Sequence, residues 1–225
     1  MSKFFSSSVG QKFFMSITGF FLMSFLLVHL TVNMFLVVGD GELFNRAAHF
    51  MSTNSVMHIL EPVLAIGFLL HIIYGAYITM KNKKARPVAY KTSRMQGSSA
   101  WASRNMFILG LLVLVFLIIH LANFFWHIKF GEVPTIVYEG ESMKNVYDLV
   151  AGLFINWWWY DLIYVLGAIL LGLHLTHGFW SAFQTIGWNN TKWLNRLKVV
   201  SYLYALIIAG GFAFIPLYFF FTTNF

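Results

Sequence analysis

Cysteine is absent from this chain, and charged residues make up only 10% of it, against roughly 25% in an ordinary soluble domain. Without cysteine the chain can neither ligate an iron–sulfur cluster through thiolates nor attach a c-type haem covalently. With so little charge, a soluble chain of 225 residues could not bury its 59% hydrophobic residues around one core, whereas lipid solvates them. What is present in place of charge is length of apolar run. Stretches at about 13–38, 58–80, 105–128, 160–185 and 199–221 are each long enough to cross a bilayer, which takes about 20 helical residues. The first is too long for a signal-peptide core and has no small-residue cleavage site. Backbone groups in lipid must be satisfied within the segment, and runs of this length are not barrel strands. The expected fold class is therefore an all-α membrane protein with five transmembrane helices. No internal repeat or low-complexity linker divides it, so residues 1–225 read as one domain.

Acid is missing from one whole side. The segments before the first span, between the second and third, and between the fourth and fifth carry Lys3, Lys12, Lys81, Lys83, Lys84, Arg86, Lys91, Arg94, Arg104, Lys192, Arg196 and Lys198 and no Asp or Glu. The other side carries Asp40, Glu42, Glu132, Glu139, Glu141, Asp148 and Asp161, with Arg46, Lys129 and Lys144 as its cations. The positive-inside rule then puts the N-terminus in the cytoplasm and the C-terminus outside. The net charge of +7 is thus a topology signal, and no nucleic-acid partner is expected. The basic segment 81–104 also suits anionic membrane lipid or a soluble partner.

Four histidines, His29, His71, His120 and His174, fall one in each of the first four spans. An ionisable ring in hydrocarbon is costly and marks a functional site by default. Counting from the inner span ends at 1.5 Å per residue puts His29 and His120 about 23–24 Å deep and His71 and His174 roughly 14–16 Å deep. Pairing 29 with 120 and 71 with 174 keeps both levels flat. Two imidazoles facing each other are what a bis-histidine haem b needs, with no position left open for oxygen or substrate. Zinc would want four ligands at one level. The expectation is two haem b groups held by the first four helices, with iron ligands His29, His71, His120 and His174. Gly67 and Gly75 flank His71 at i−4 and i+4, and Gly178 and Gly167 lie at i+4 and i−7 from His174, which would let a macrocycle approach. Close helix packing without a cofactor is the plainer reading of such glycines. Asn33 and Asn123 are placed to support the ligands.

Other residues carry weaker signals. His177, one turn from His174, and His127, two turns beyond His120, are candidates for haem propionate contacts. His49 and His58 read as solvated. Glu61 reads as the only acid within a span. Followed by Pro62, it either caps a helix starting there or handles protons beside a quinone on the outer side, as a candidate catalytic residue. Trp157, Trp158, Trp159 and Tyr160 read as an interfacial aromatic belt, with the wall of a quinone pocket as the alternative.

With these residues in place, the chain resembles the cytochrome b membrane-anchor subunit of succinate dehydrogenase or quinol:fumarate reductase, in its five-helix, two-haem form. The resemblance covers nearly the whole chain. It rests on one histidine in each of the first four spans and none in the fifth, and on the stretches EPVLAIGFLLHIIYGAY, KARPVAY, SSAWASRNM and LHLTHGFWSAFQTIGW. It implies a proximal haem on His71 and His174 and a distal one on His29 and His120. It also implies a flavoprotein subunit with covalent FAD and an iron–sulfur subunit at the cytoplasmic face, both cofactors lying on those partners. Electrons would pass between the iron–sulfur subunit and a membrane quinone, with menaquinone near the distal haem, in the bacterial cytoplasmic membrane. The dicarboxylate site would lie off this chain, and a dimer of the complex is left open. Two rivals stand beside this reading. One is a dihaem cytochrome b of another quinone-linked dehydrogenase, such as a hydrogenase or formate dehydrogenase, which typically has four helices. The other is a haem-free proton-relay transporter, whose residues should converge on one midplane site.

Overall fold

A computed structural model describes residues 7–85, 98–188 and 190–224. Lys3, Arg86, Lys91, Arg94 and residues 86–90 of the KARPVAY stretch lie outside the described residues. The element order is α1 (Ser8–Met34), α2 (Glu42–Thr53), α3 (Ser55–Lys84), α4 (Ser98–His120), α5 (His127–Phe130), β1 (Thr135–Tyr138), β2 (Glu141–Lys144), α6 (Val146–Asn156), α7 (Trp158–Thr185) and α8 (Thr191–Asn224). A short 3-10 turn, Phe35–Val37, extends α1, and a π-helical turn, Leu121–Trp126, joins α4 to α5.

Five stretches are long and apolar enough to cross a membrane: Ser8–Val37, Ser55–Lys84, Trp101–Phe130, Trp158–Thr185 and Thr191–Thr223. The chain is an all-α, five-span membrane protein, and all five expected spans are present. The observed helices overrun most of the expected ends because lysine and asparagine at a lipid boundary are compatible with continued helix. Polar side chains then set the starts. Ser7 accepts from the Gly10 amide at 3.0 Å, and Asn54 accepts from Val56 at 2.9 Å. The Asn54 cap corrects one expectation. Because α3 begins at Ser55, Pro62 lies inside the helix, and Glu61 caps nothing.

The spans pack in a four-sided arrangement. α1 packs against α3 and α7, α4 packs against α7 and touches α3, and α8 lies along α7 and against α1. The first four spans therefore enclose a centre with α1 diagonally opposite α4 and α3 diagonally opposite α7. The outer seam between α7 and α8 is close because Gly172 faces Ala209, where a Cβ on residue 172 would come within 2.8 Å. Fully buried Ser201 donates across the same seam to the Thr176 carbonyl.

One end of the bundle carries the basic residues, and the other carries a cap that the hydropathy pattern does not announce. β1 and β2 pair antiparallel in the register Thr135↔Lys144 to Tyr138↔Glu141. Their two-residue turn, Glu139–Gly140, has φ of 53° and 86°, as a type I′ hairpin requires. Asn45 of α2, 1% exposed, ties the cap together. Its amide donates to Tyr138 and Asn145, and its oxygen accepts from the Tyr147 amide at 2.8 Å. Gly41 lies flat against Tyr147, where a Cβ would be 2.4 Å from the ring. Leu36, Phe44, Val150, Phe154, Tyr164 and Phe219 then join the cap and the span ends in one apolar cluster.

Candidate functional site

The histidines meet in pairs across the diagonals. His29 on α1 and His120 at the end of α4 have ring centroids 5.7 Å apart and nearly perpendicular planes, at 85°. His71 on α3 and His174 on α7 are 6.4 Å apart at 69°. The first pair is level with Tyr164, which lies 6.1 Å from His120, and the second with Thr18, 3.3 Å from His71. Ten residues of α7 separate Tyr164 from His174 and eleven of α1 separate Thr18 from His29, which puts about 15 Å of helix between the levels. That exceeds the 8–9 Å difference between the depths counted from sequence, because the helices overrun the apolar runs by unequal amounts.

The residues fit a bis-imidazole cofactor on several grounds. Two rings on opposite sides of one metal, each bonded at about 2 Å, have centroids roughly 6 Å apart, close to both observed spacings. The helices carrying each pair are diagonal, not packed neighbours, so each pair faces across the centre of the bundle. All four imidazoles are only part-buried although they point to the centre of the bundle. Among the described residues no group of three or more His, Asp or Glu side chains gathers as a metal site.

The immediate surroundings differ between the levels. Thr18 directs its hydroxyl proton to the Phe14 and Met15 carbonyls at 3.0 and 3.1 Å, so its oxygen is free to accept from His71 Nδ1. In that tautomer His71 Nε2 is unprotonated, as metal ligation requires. Gly19 and Gly110, on the helices between, open toward His71 and His174. A Cβ at either position would lie 3.9 and 3.7 Å from the facing ring carbon. At the other level Asn33 donates to the His29 carbonyl at 2.8 Å and lies 3.2 Å from His29 Nδ1. Phe25 stacks on His29 at 5.1 Å, and Phe116, Phe124 and Tyr164 surround His120. Asn123 reaches Tyr164, donating to its hydroxyl at 3.2 Å.

Other expected site residues are placed as follows. Gly67, Gly75 and Gly178 face Phe21, Met15 and Met106, and Gly167 faces Phe116. The glycines turned to the imidazoles, Gly19 and Gly110, carry no signal in the sequence, because a helix's own spacing does not reveal what its neighbour presents. His127 is exposed, and its Nδ1 lies 2.9 Å from the Ala122 carbonyl of its own π-helical turn. His177 lies edge-on to Trp180 at 4.8 Å, with a buried Nδ1 that has no partner. His49 lies 3.3 Å from Glu141, and His58 is exposed. Glu61 pairs with Lys129 at 2.7 Å, its side chain 42% exposed. It is not the only acid within a span. Asp161 lies in the first turn of α7 and is 4% exposed, and neither of its carboxylate oxygens has a partner. Trp157, Trp158 and Trp159 are exposed, as a belt at the lipid boundary would be.

No family model matches the chain, and no solved structure matches it. Among curated proteins it is similar to the "succinate dehydrogenase cytochrome b558 subunit" of Bacillus subtilis (strain 168), with 26% identity over 198 residues, 86% of this chain and 85% of that protein. Five apolar spans together with this bacterial relative make it a multi-pass protein of the bacterial cytoplasmic membrane.

Proposed function

We propose that this chain is the membrane-anchoring cytochrome b subunit of a succinate:quinone oxidoreductase. The observation that carries the proposal is the meeting of four intramembrane histidines as two facing pairs on the diagonals of one bundle. Likeness over most of its length to a succinate dehydrogenase cytochrome supports it. His29 and His120 would hold one haem b, and His71 and His174 the other. Haem b closed by two imidazoles supplies one-electron transfer without an open position for oxygen, and two of them would link an iron–sulfur partner to membrane quinone.

The chain's own residues do the rest. Thr18 orients His71 and raises its basicity by accepting its Nδ1 proton. Asn33 braces His29. Phe25, Phe116 and Phe124 keep water from the His29–His120 level. His177, with its partnerless buried nitrogen, suits a propionate on the basic side, whereas His127 is occupied by its own backbone. Lys81, Lys83, Lys84, Arg104, Lys192, Arg196 and Lys198 make the basic end the cytoplasmic one and the docking face for the flavoprotein and iron–sulfur subunits, which carry FAD and the clusters. Quinone, of the menaquinone class, reacts at the hairpin end.

Haem stoichiometry tests this directly. Pyridine haemochrome absorbance against protein concentration should give two b haems per chain. His71→Ala and His174→Ala should remove the same haem, and His29→Ala and His120→Ala the other. A folded, intact protein without haem would overturn the reading.

A further inference from the structure

One buried ionisable group of the spans has no part in holding either histidine pair. Asp161 is almost fully enclosed, yet neither carboxylate oxygen is hydrogen-bonded. Buried polar groups in folded proteins are nearly always paired, so an exception at membrane depth calls for a role. On a helix of 3.6 residues per turn Asp161 shares a stripe with Ala168, Gly172 and Leu175. Gly172 faces Ala209, and Leu175 packs with Ala205 and Ile208, so that stripe faces α8. The titratable side chains of the neighbouring elements at this end are Tyr160 and Tyr164 on α7, Tyr147 and Asp148 on α6 and Tyr218 on α8. None hydrogen-bonds Asp161.

Two opposed influences act on this carboxyl. The apolar interface disfavours the charged form. Its place in the first turn of α7, near free backbone N–H groups, favours the anion. A carboxyl with no fixed partner can give up a proton and take it back, which one held by a fixed partner cannot easily do. Glu61 is the contrasting case, already neutralised by Lys129 and half in solvent. Asp161 also adjoins the outer histidine level. Tyr164, one turn further along α7, touches His120 and takes the Asn123 hydrogen bond, and exposed tryptophans at 157–159 adjoin it on the lipid side.

We infer that Asp161 is the proton-exchanging carboxylate for quinone at the hairpin end, the task the sequence suggested for Glu61. The inference rests on the reading of this chain as the quinone-reacting subunit. Reduction of a quinone to its hydroquinone takes up two electrons and two protons. The electrons come from succinate through the complex. Each proton leaves the Asp161 O–H toward a quinone oxygen, and the carboxylate is reprotonated by hairpin-side water before the next. Oxidation of the hydroquinone runs the same steps in reverse.

The test uses the purified complex with a short-chain naphthoquinone, and haem content and succinate-driven dye reduction at the partner subunits serve as controls. Asp161→Asn should keep both haems and lower quinone turnover by about 100-fold or more, the scale of a lost acid–base group. Asp161→Glu should recover part of it, and Glu61→Gln should stay close to wild type. Wild-type infrared difference spectra on quinone reduction should show a shifted carboxylic C=O band, as the partner of Asp161 changes from quinone to hydroquinone, and Asp161→Asn should lack it. Near-normal quinone turnover in Asp161→Asn overturns the inference, and so does a wild-type spectrum without a carboxyl change, even if the variants fail to fold. A wild-type complex that has no haem or cannot reduce quinone with succinate defeats the broader reading instead.

Discussion

At His71 the hydroxyl of Thr18 decides which ring nitrogen is free. With its proton directed to the preceding turn of α1, its oxygen is placed to accept from Nδ1, the tautomer that presents Nε2 for ligation. Thr18→Val keeps the shape and deletes that acceptor. The expected result is retention of both haems with the midpoint potential of one raised, since a less basic imidazole stabilises ferric iron less. A redox titration followed by absorbance checks this, and an unchanged potential would reduce Thr18 to packing. The four histidines could be paired from sequence because helical rise is constant and each lay deep inside a long apolar run. Thr18, Gly19 and Gly110 could not, because their importance arises from another helix's ring. Asp161 lies at the margin of the fourth apolar run, where sequence alone groups it with the acids of that side, and its burial without a partner sets it apart from them.

Between residue and bundle, the elements divide into those set by hydrophobic length and those set by particular side chains. The spans belong to the first kind, and their number and approximate ends were legible for that reason. The cap of α2, β1–β2 and α6 belongs to the second. Strands of four residues carry too few alternations to announce themselves, and what holds the cap is Asn45, at the meeting point of three segments. Asn45→Ala leaves the Tyr147 amide and the side chains of Tyr138 and Asn145 without that partner, at about 1–3 kcal/mol for a buried group left unmade. Limited proteolysis should then cut between α5 and α6 much faster than in wild type, while the spans stay protected and haem content holds. Equal cutting rates would mean the cap is held by its apolar cluster alone. The π-helical turn after His120 is likewise invisible to periodicity, since it inserts a local widening into a run that stays apolar throughout. Turns of this kind recur at functional sites.

For the molecule as a whole, the absence of cysteine becomes an experimental advantage, because a single introduced cysteine is the only thiol to label. Gly140→Cys, at the hairpin turn, should react with a membrane-impermeant maleimide in intact cells, and Lys84→Cys and Lys192→Cys only after lysis. The reverse pattern would invert the orientation and with it the side on which the partner subunits dock. The diagonal placement of the histidines also bears on how the protein is made. Each pair joins helices that are not packed neighbours, so neither site exists in any single helical hairpin emerging during synthesis. The His71–His174 site is finished only when the fourth span is in place. A macrocycle held as proposed would bridge each diagonal and tie together helices that do not otherwise pack. On that reading cofactor insertion would be a cross-bracing step in biogenesis, and cells starved of haem should accumulate a looser, protease-sensitive chain, which pulse-chase proteolysis would detect.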